Sequence, residues 1–184
     1  MKKFTQKCSC VVKMCYLCKR KTVRTMVKQT SIKTIEQNDN VSLYSICFNG
    51  DELSEYEKFL TMFKDNARLN HDFQTILLAL AKIVEVGALE RFFRNEGRLN
   101  DNLCALSIDS RRLRLYCLRI SDQILIVGNG GEKTTRTYQE DETLSGYVMD
   151  LQKFDELLKQ AQKSGAISIE NNVITGIDTA TFEL

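Results

Sequence analysis

Residues 113–127 read LRLYCLRISDQILIV and run on into Gly128-Asn129-Gly130-Gly131. Two apolar runs, Leu113 to Ile120 and Ile124 to Val127, flank Ser121-Asp122, whose side chains favour tight turns by bonding to nearby backbone. The stretch therefore predicts two antiparallel strands. Along the first, Arg114, Tyr116, Leu118 and Ile120 share one face, and Leu113, Leu115, Cys117 and Arg119 share the other. Arginine on both faces means that one of them needs a partner or a polar surface. Leu103 to Ile108, set off by Asp109-Ser110, supplies a third strand and makes the whole an antiparallel meander. The glycine-rich exit predicts a flexible link delivering Glu132-Lys133-Thr134-Thr135-Arg136-Thr137-Tyr138.

Upstream, Val41 to Phe48 (VSLYSICF) is rich in β-branched and aromatic residues and stops at Asn49-Gly50, so it reads as a strand and a turn. Leu53, Tyr56, Phe59, Leu60 and Phe63 then recur at helical spacing, predicting a helix over 52–64 with Asp51 as N-cap. A longer helix after Asn70 puts Phe73, Ile76, Leu77, Leu80, Ile83 and Val84 on one face. Downstream, Tyr147, Leu151, Phe154, Leu158 and Ala161 mark a third helix, ended by Gly165. A hairpin over 166–177 closes the chain around Asn171-Asn172. The expected order is β-α-α-β-β-β followed by α-β-β.

A chain of 184 residues fits one domain with a tail. Its 43% hydrophobic and 27% charged residues exclude a fibrous or wholly disordered chain. No run of about 18 apolar residues occurs, which excludes an apolar helical membrane span and argues against a secretory signal. The net charge of +2 is strongly segregated. Residues 1–28 hold nine Lys or Arg and no acid, while 29–184 hold 17 basic against 24 acidic groups, a net of −7. Within that acidic body, 88–138 is locally basic at +3, and 139–184 stands at −6. A polyanion partner is expected at the basic stretch or at the N-terminal arm.

Cysteine divides in the same way. Cys47, Cys104 and Cys117 sit singly in apolar runs and read as buried thiols of a reduced, cytoplasmic protein. Cys8, Cys10, Cys15 and Cys18 crowd into eleven residues. Four thiolates are chemically competent for zinc or an iron–sulfur cluster, but only Cys15-Tyr16-Leu17-Cys18 has knuckle spacing, and the loop between Cys10 and Cys15 is short. No metal or other cofactor is expected. The arm over 1–40 reads as disordered, or as an artefact of start-site choice with translation beginning at Met26.

Ala88-Leu89-Glu90-Arg91-Phe92-Phe93-Arg94, Asn102-Leu103-Cys104-Ala105-Leu106, Leu113 to Arg119, Asp122 to Val127 and Lys133-Thr134 together resemble the RelE/HigB-like toxins of toxin–antitoxin modules, in particular their phage-derived branch. The likeness covers about 41–139, leaving 140–184 as an acidic helix-hairpin extension. It implies an α+β, RelE-like fold with two N-terminal helices packed on a small antiparallel sheet. It further implies an mRNA endoribonuclease acting on the ribosome, neutralised by a cognate helix-turn-helix antitoxin, with no membrane role. Such chemistry needs a base on the RNA 2′-hydroxyl, cations on the phosphorane and an acid on the leaving oxygen. The resemblance assigns Lys133, Arg136, Tyr138 and Arg114 to catalysis and Arg94, Arg111, Arg112 and Arg119 to RNA binding, with Tyr138 acting as acid or base or by stacking on a base. The alternative is a non-catalytic protein-binding or regulatory descendant of the same fold, in which the same sheet binds an antitoxin-like helix and the acidic extension has replaced nucleic-acid contact.

Overall fold

The computed structural model describes residues 28–96, 101–106, 112–178 and 180–184. In chain order these form β1 (Gln29–Gln37), β2 (Ser42–Phe48), α1 (Glu55–Phe63), α2 (Asn70–Val86), β3 (Phe93–Asn95), β4 (Leu103–Leu106), β5 (Leu113–Ser121) and β6 (Ile124–Glu132). Then come α3 (Glu142–Ser164), β7 (Ser168–Glu170), β8 (Val173–Thr175) and β9 (Phe182–Glu183). One sheet runs in the order β3-β4-β5-β6-β2-β1-β9, and β7 and β8 form a separate hairpin. Within the large sheet β2 and β6 are parallel, while every other neighbouring pair is antiparallel.

This overturns the expectation of two N-terminal helices on a small antiparallel sheet. The sheet has seven strands and is mixed, two strands rather than the expected one precede the helices, and helices cover both of its faces. The physical reason lies in β2. All seven of its residues are buried, because a strand in the middle of a sheet covered on both sides has no solvent face. Tyr44, Ile46 and Phe48 face α3, whereas Val41 and Leu43 face α1 and α2. On the first side Val148, Leu151, Phe154 and Leu158 of α3 pack against Tyr116, Leu118, Ile124 and Ile126. On the second, Phe59 and Phe63 of α1 and Phe73, Ile76, Leu80 and Ile83 of α2 pack against Leu115, Cys117, Leu125 and Val127.

Local signals explain the element ends. Helix α1 starts later than Asp51: Ser54 is its N-cap and forms a reciprocal capping box with Glu57. Asp51 instead pairs with Lys58 at 2.7 Å. Helix α3 is capped by the Asp141 carboxylate, which accepts from the Leu144 amide at 3.0 Å, and it ends at Gly165, where φ is +76°. Strand β1 lies within the span expected to be an arm, whose residues 1–27 fall outside those described.

The glycines after Val127 are not a flexible link but the second half of β6, and they are buried there. At Gly130 the neighbouring strand comes so close that a Cβ would stand 1.9 Å from the Arg114 carbonyl oxygen. At Gly128 it would meet Leu151 of α3 at 2.7 Å. Glycine here permits close approach of strand and helix rather than motion. In the acidic C-terminal extension, α3 forms one wall of the core against β4, β5 and β6, and β9 pairs with β1.

Candidate functional site

At the end of the β5–β6 ribbon away from its turn, three stretches of chain converge on a cleft of about 370 Å³. Arg94, Asn95 and Glu96 come from the edge strand β3 and the residue after it, Arg114 and Tyr116 from β5, and Lys133 and Arg136 to Gln139 from the link between β6 and α3. The antiparallel pairing of β3 with β4 and of β4 with β5 brings the first stretch beside the second, and Leu113 opposite Glu132 brings the third beside both.

Five of the eight residues implicated from sequence therefore line one cleft: Arg94, Arg114, Lys133, Arg136 and Tyr138. Arg112 is exposed and is not part of this lining; its backbone amide donates to the buried Asp72 at 2.8 Å, which fixes the start of β5. Arg119 belongs to a second cleft, of about 200 Å³, lined also by Glu90, Asn95 and Asp101. Its Nε donates to the Ala88 carbonyl at 2.7 Å, and its Nη2 pairs with Asp122. Arg111 and the cluster Cys8, Cys10, Cys15 and Cys18 lie outside the described residues. Among the described residues no group of His, Cys, Asp and Glu is arranged to hold a metal ion, and no helix is long and apolar enough to cross a membrane.

The lining sums to four cations and one carboxylate, Glu96. Arg94 donates to Glu96 through Nε at 2.9 Å and also through Nη2. Glu132, adjacent to Lys133, is occupied elsewhere. Its carboxylate accepts both terminal nitrogens of Arg68, and that hydrogen-bonded pairing holds its pKa below the usual range. Glu132 is thus not left to neutralise Lys133, and among the described residues the side chains of Lys133 and Arg136 make no ion pair. Lys133 is half-buried and Arg136 exposed. Unpaired cations beside low-dielectric walls focus field and attract anions more strongly than the same charges on an open face.

Tyr116 and Tyr138 form the aromatic part of the cleft, with ring centroids 6.2 Å apart at 70°. Tyr116 is 1% exposed, and burial, with Glu96 adding to it, pushes its phenol well above the ordinary tyrosine pKa. It stays protonated at neutral pH and cannot act there as a base. The Tyr138 hydroxyl donates to the Glu96 carbonyl at 3.3 Å, so its proton is engaged and its half-buried ring is the part presented to a ligand.

No family model, no curated protein and no solved structure matches the chain. What the site does must be argued from its own chemistry. Glu96, Asn95, Thr137 and Gln139 were not singled out from sequence, and no local pattern marks them. They join the site because β3 sits at the edge beside β4, and because a single 3-10 turn at Tyr138–Glu140 folds the link back before α3.

Proposed function

We propose that this chain binds RNA through the cationic cleft, with a backbone phosphate held by Arg114, Lys133 and Arg136 and a neighbouring base laid against Tyr138. The observation that carries this reading is the gathering of four cations and an aromatic ring in one cleft of a body whose residues 29–184 are net −7. In such a body a concentration of positive charge is not a by-product of overall composition. Arginine suits the phosphate because its planar guanidinium bonds two oxygens at once. Stacking on tyrosine is the usual way in which unpaired RNA bases are held. A cytoplasmic location goes with this reading.

A second reading adds cleavage at the bound phosphodiester, with the chain as the toxin of a two-component module and a helix-turn-helix antitoxin as its partner. It rests on the short sequence resemblance together with the same cations, which would stabilise the phosphorane. Binding is favoured because burial keeps the Tyr116 phenol protonated and the Tyr138 hydroxyl is engaged with the Glu96 carbonyl.

Incubating the full chain with 5′-labelled single-stranded RNA tests both. Saturable binding that the Lys133→Ala/Arg136→Ala double variant loses supports the RNA site. Appearance of shorter products ending in 2′,3′-cyclic phosphate, with growth arrest on induced expression that the double variant relieves, supports the toxin. Absence of RNA binding by soluble, folded protein overturns both.

A further inference from the structure

The one carboxylate in the cleft is unexplained by phosphate binding, which it opposes. Both Arg94 donors fall on Glu96 Oε1, which fixes the carboxylate and, among the described residues, leaves Oε2 without a hydrogen bond. The Glu96 side chain is 15% exposed, and it lines the cleft. The Tyr138 ring stands beside it, tied to its carbonyl through the hydroxyl. A flat aromatic surface and an oriented acceptor are thus brought together next to the cations. The cleft's volume, about 370 Å³, lies near the lower end for ligand sites, suited to one nucleotide rather than a larger ligand.

We propose that Glu96 selects guanine, an inference that rests on reading the cleft as an RNA site. Guanine alone presents two adjacent donors, N1–H and N2–H, on its Watson–Crick edge. Oε2, with two lone pairs, can accept both at once, as Oε1 accepts the two Arg94 donors. Adenine and cytosine each set an acceptor beside their single donor group, and uracil flanks its N–H with two carbonyls, so each would turn a lone pair toward Glu96. Unpaired bases in RNA are read on this edge. In this arrangement the phosphate lies among Arg114, Lys133 and Arg136, the purine rests on Tyr138, and its edge meets Glu96. Arg94 is a positioning residue, since it acts only through the carboxylate that it orients.

The test is equilibrium binding of the full chain, by fluorescence anisotropy, to the labelled RNAs UUGUU, UUAUU, UUCUU and UUUUU, and to UUIUU, in which inosine removes only the N2 amine. The expected result is that UUGUU binds about tenfold or more tightly than the other three natural sequences, since a good bidentate contact discriminates by that order. UUIUU should fall between. Glu96→Gln should bring UUGUU down to the level of UUUUU without weakening UUUUU itself. The inosine comparison uses unaltered protein, so it decides the matter even where the variant fails to fold. Equal binding of all five RNAs, or preference for another base, overturns guanine selection while leaving the RNA site standing if Lys133→Ala/Arg136→Ala weakens them all. Failure to bind any of the five overturns the RNA reading and this inference with it.

Discussion

Arg119 and Lys133 sit at opposite ends of the β5–β6 ribbon, and their surroundings differ in kind. Near the turn, Arg119 is held by the Ala88 carbonyl and by Asp122, which closes the sheet against the segment after α2. At the other end, Glu132 turns to Arg68, and Lys133 and Arg136 face a cleft among other cations. A basic side chain thus serves structure where an acid and a carbonyl are provided, whereas Lys133 and Arg136 pair with no acid among the described residues. Basic sequence alone does not distinguish the two; the placement of acids does.

The largest effect is expected from breaking the ribbon itself. Gly130→Ala drives a Cβ into the Arg114 carbonyl, and we expect a loss of about 3 kcal/mol, at the upper end for overpacking, measured by urea unfolding. Gly146→Ala, in α3 with no atom within 4 Å of the new Cβ, should stabilise by up to about 1 kcal/mol. A similar response to both would mean that the strands are not so closely paired.

Arg119→Ala should cost about 1–3 kcal/mol, because it leaves the Ala88 carbonyl without its side-chain donor, and should leave RNA affinity unchanged. An unaltered stability would show that the two ends of the ribbon do not differ as described.

A smaller effect concerns another tied charge. Glu57 accepts from Lys33 Nζ and from Ser54, first the lysine and then the cap lowering its carboxyl pKa to about 2. A folded-state pKa below the unfolded value stabilises at pH above about 4.5, and that contribution is lost as pH falls toward 2. Acid titration of stability should therefore be shallower in Glu57→Gln over that range. The smallest effect is kinetic: burial raises the thiol pKa of Cys104 to about 12 and that of Cys117 well above its ordinary value. Iodoacetamide at pH 8 should leave both unmodified in the native protein, as peptide mass spectrometry would show.

Much of the chain was legible where local signals are strong. The 3.6-residue recurrence of Phe59, Phe63, Phe73, Ile76, Leu80 and Ile83 marks real helices, and the alternation along 113–120 places Tyr116 and Leu118 opposite Leu115 and Cys117, as they stand. Non-local pairing was not legible. Strand β1, QTSIKTIEQ, buries only Thr30 and Ile32, and so little apolar alternation reads as an arm. The parallel pairing of β2 with β6 joins residues about eighty positions apart and has no local sign. The unbroken apolar run VSLYSICF did carry a hint, since a strand with no polar face implies cover on both sides. In the cleft the cations were legible as a basic segment, whereas Glu96 and the separation of Arg119 from Arg114 depend on strand order.

In the proposed RNA site, Lys133 and Arg136 hold phosphate and Arg119 does not. The most direct test of this is the salt dependence of single-stranded RNA affinity for wild type, Lys133→Ala/Arg136→Ala and Arg119→Ala. Each phosphate contact contributes about 0.7 to the slope of log affinity against log salt on a single strand. Because both side chains hold the same phosphate, a slope flatter by up to about 0.7 is expected in the double variant and an unchanged slope in Arg119→Ala. Three superimposable slopes, or an equal loss in Arg119→Ala, would contradict it.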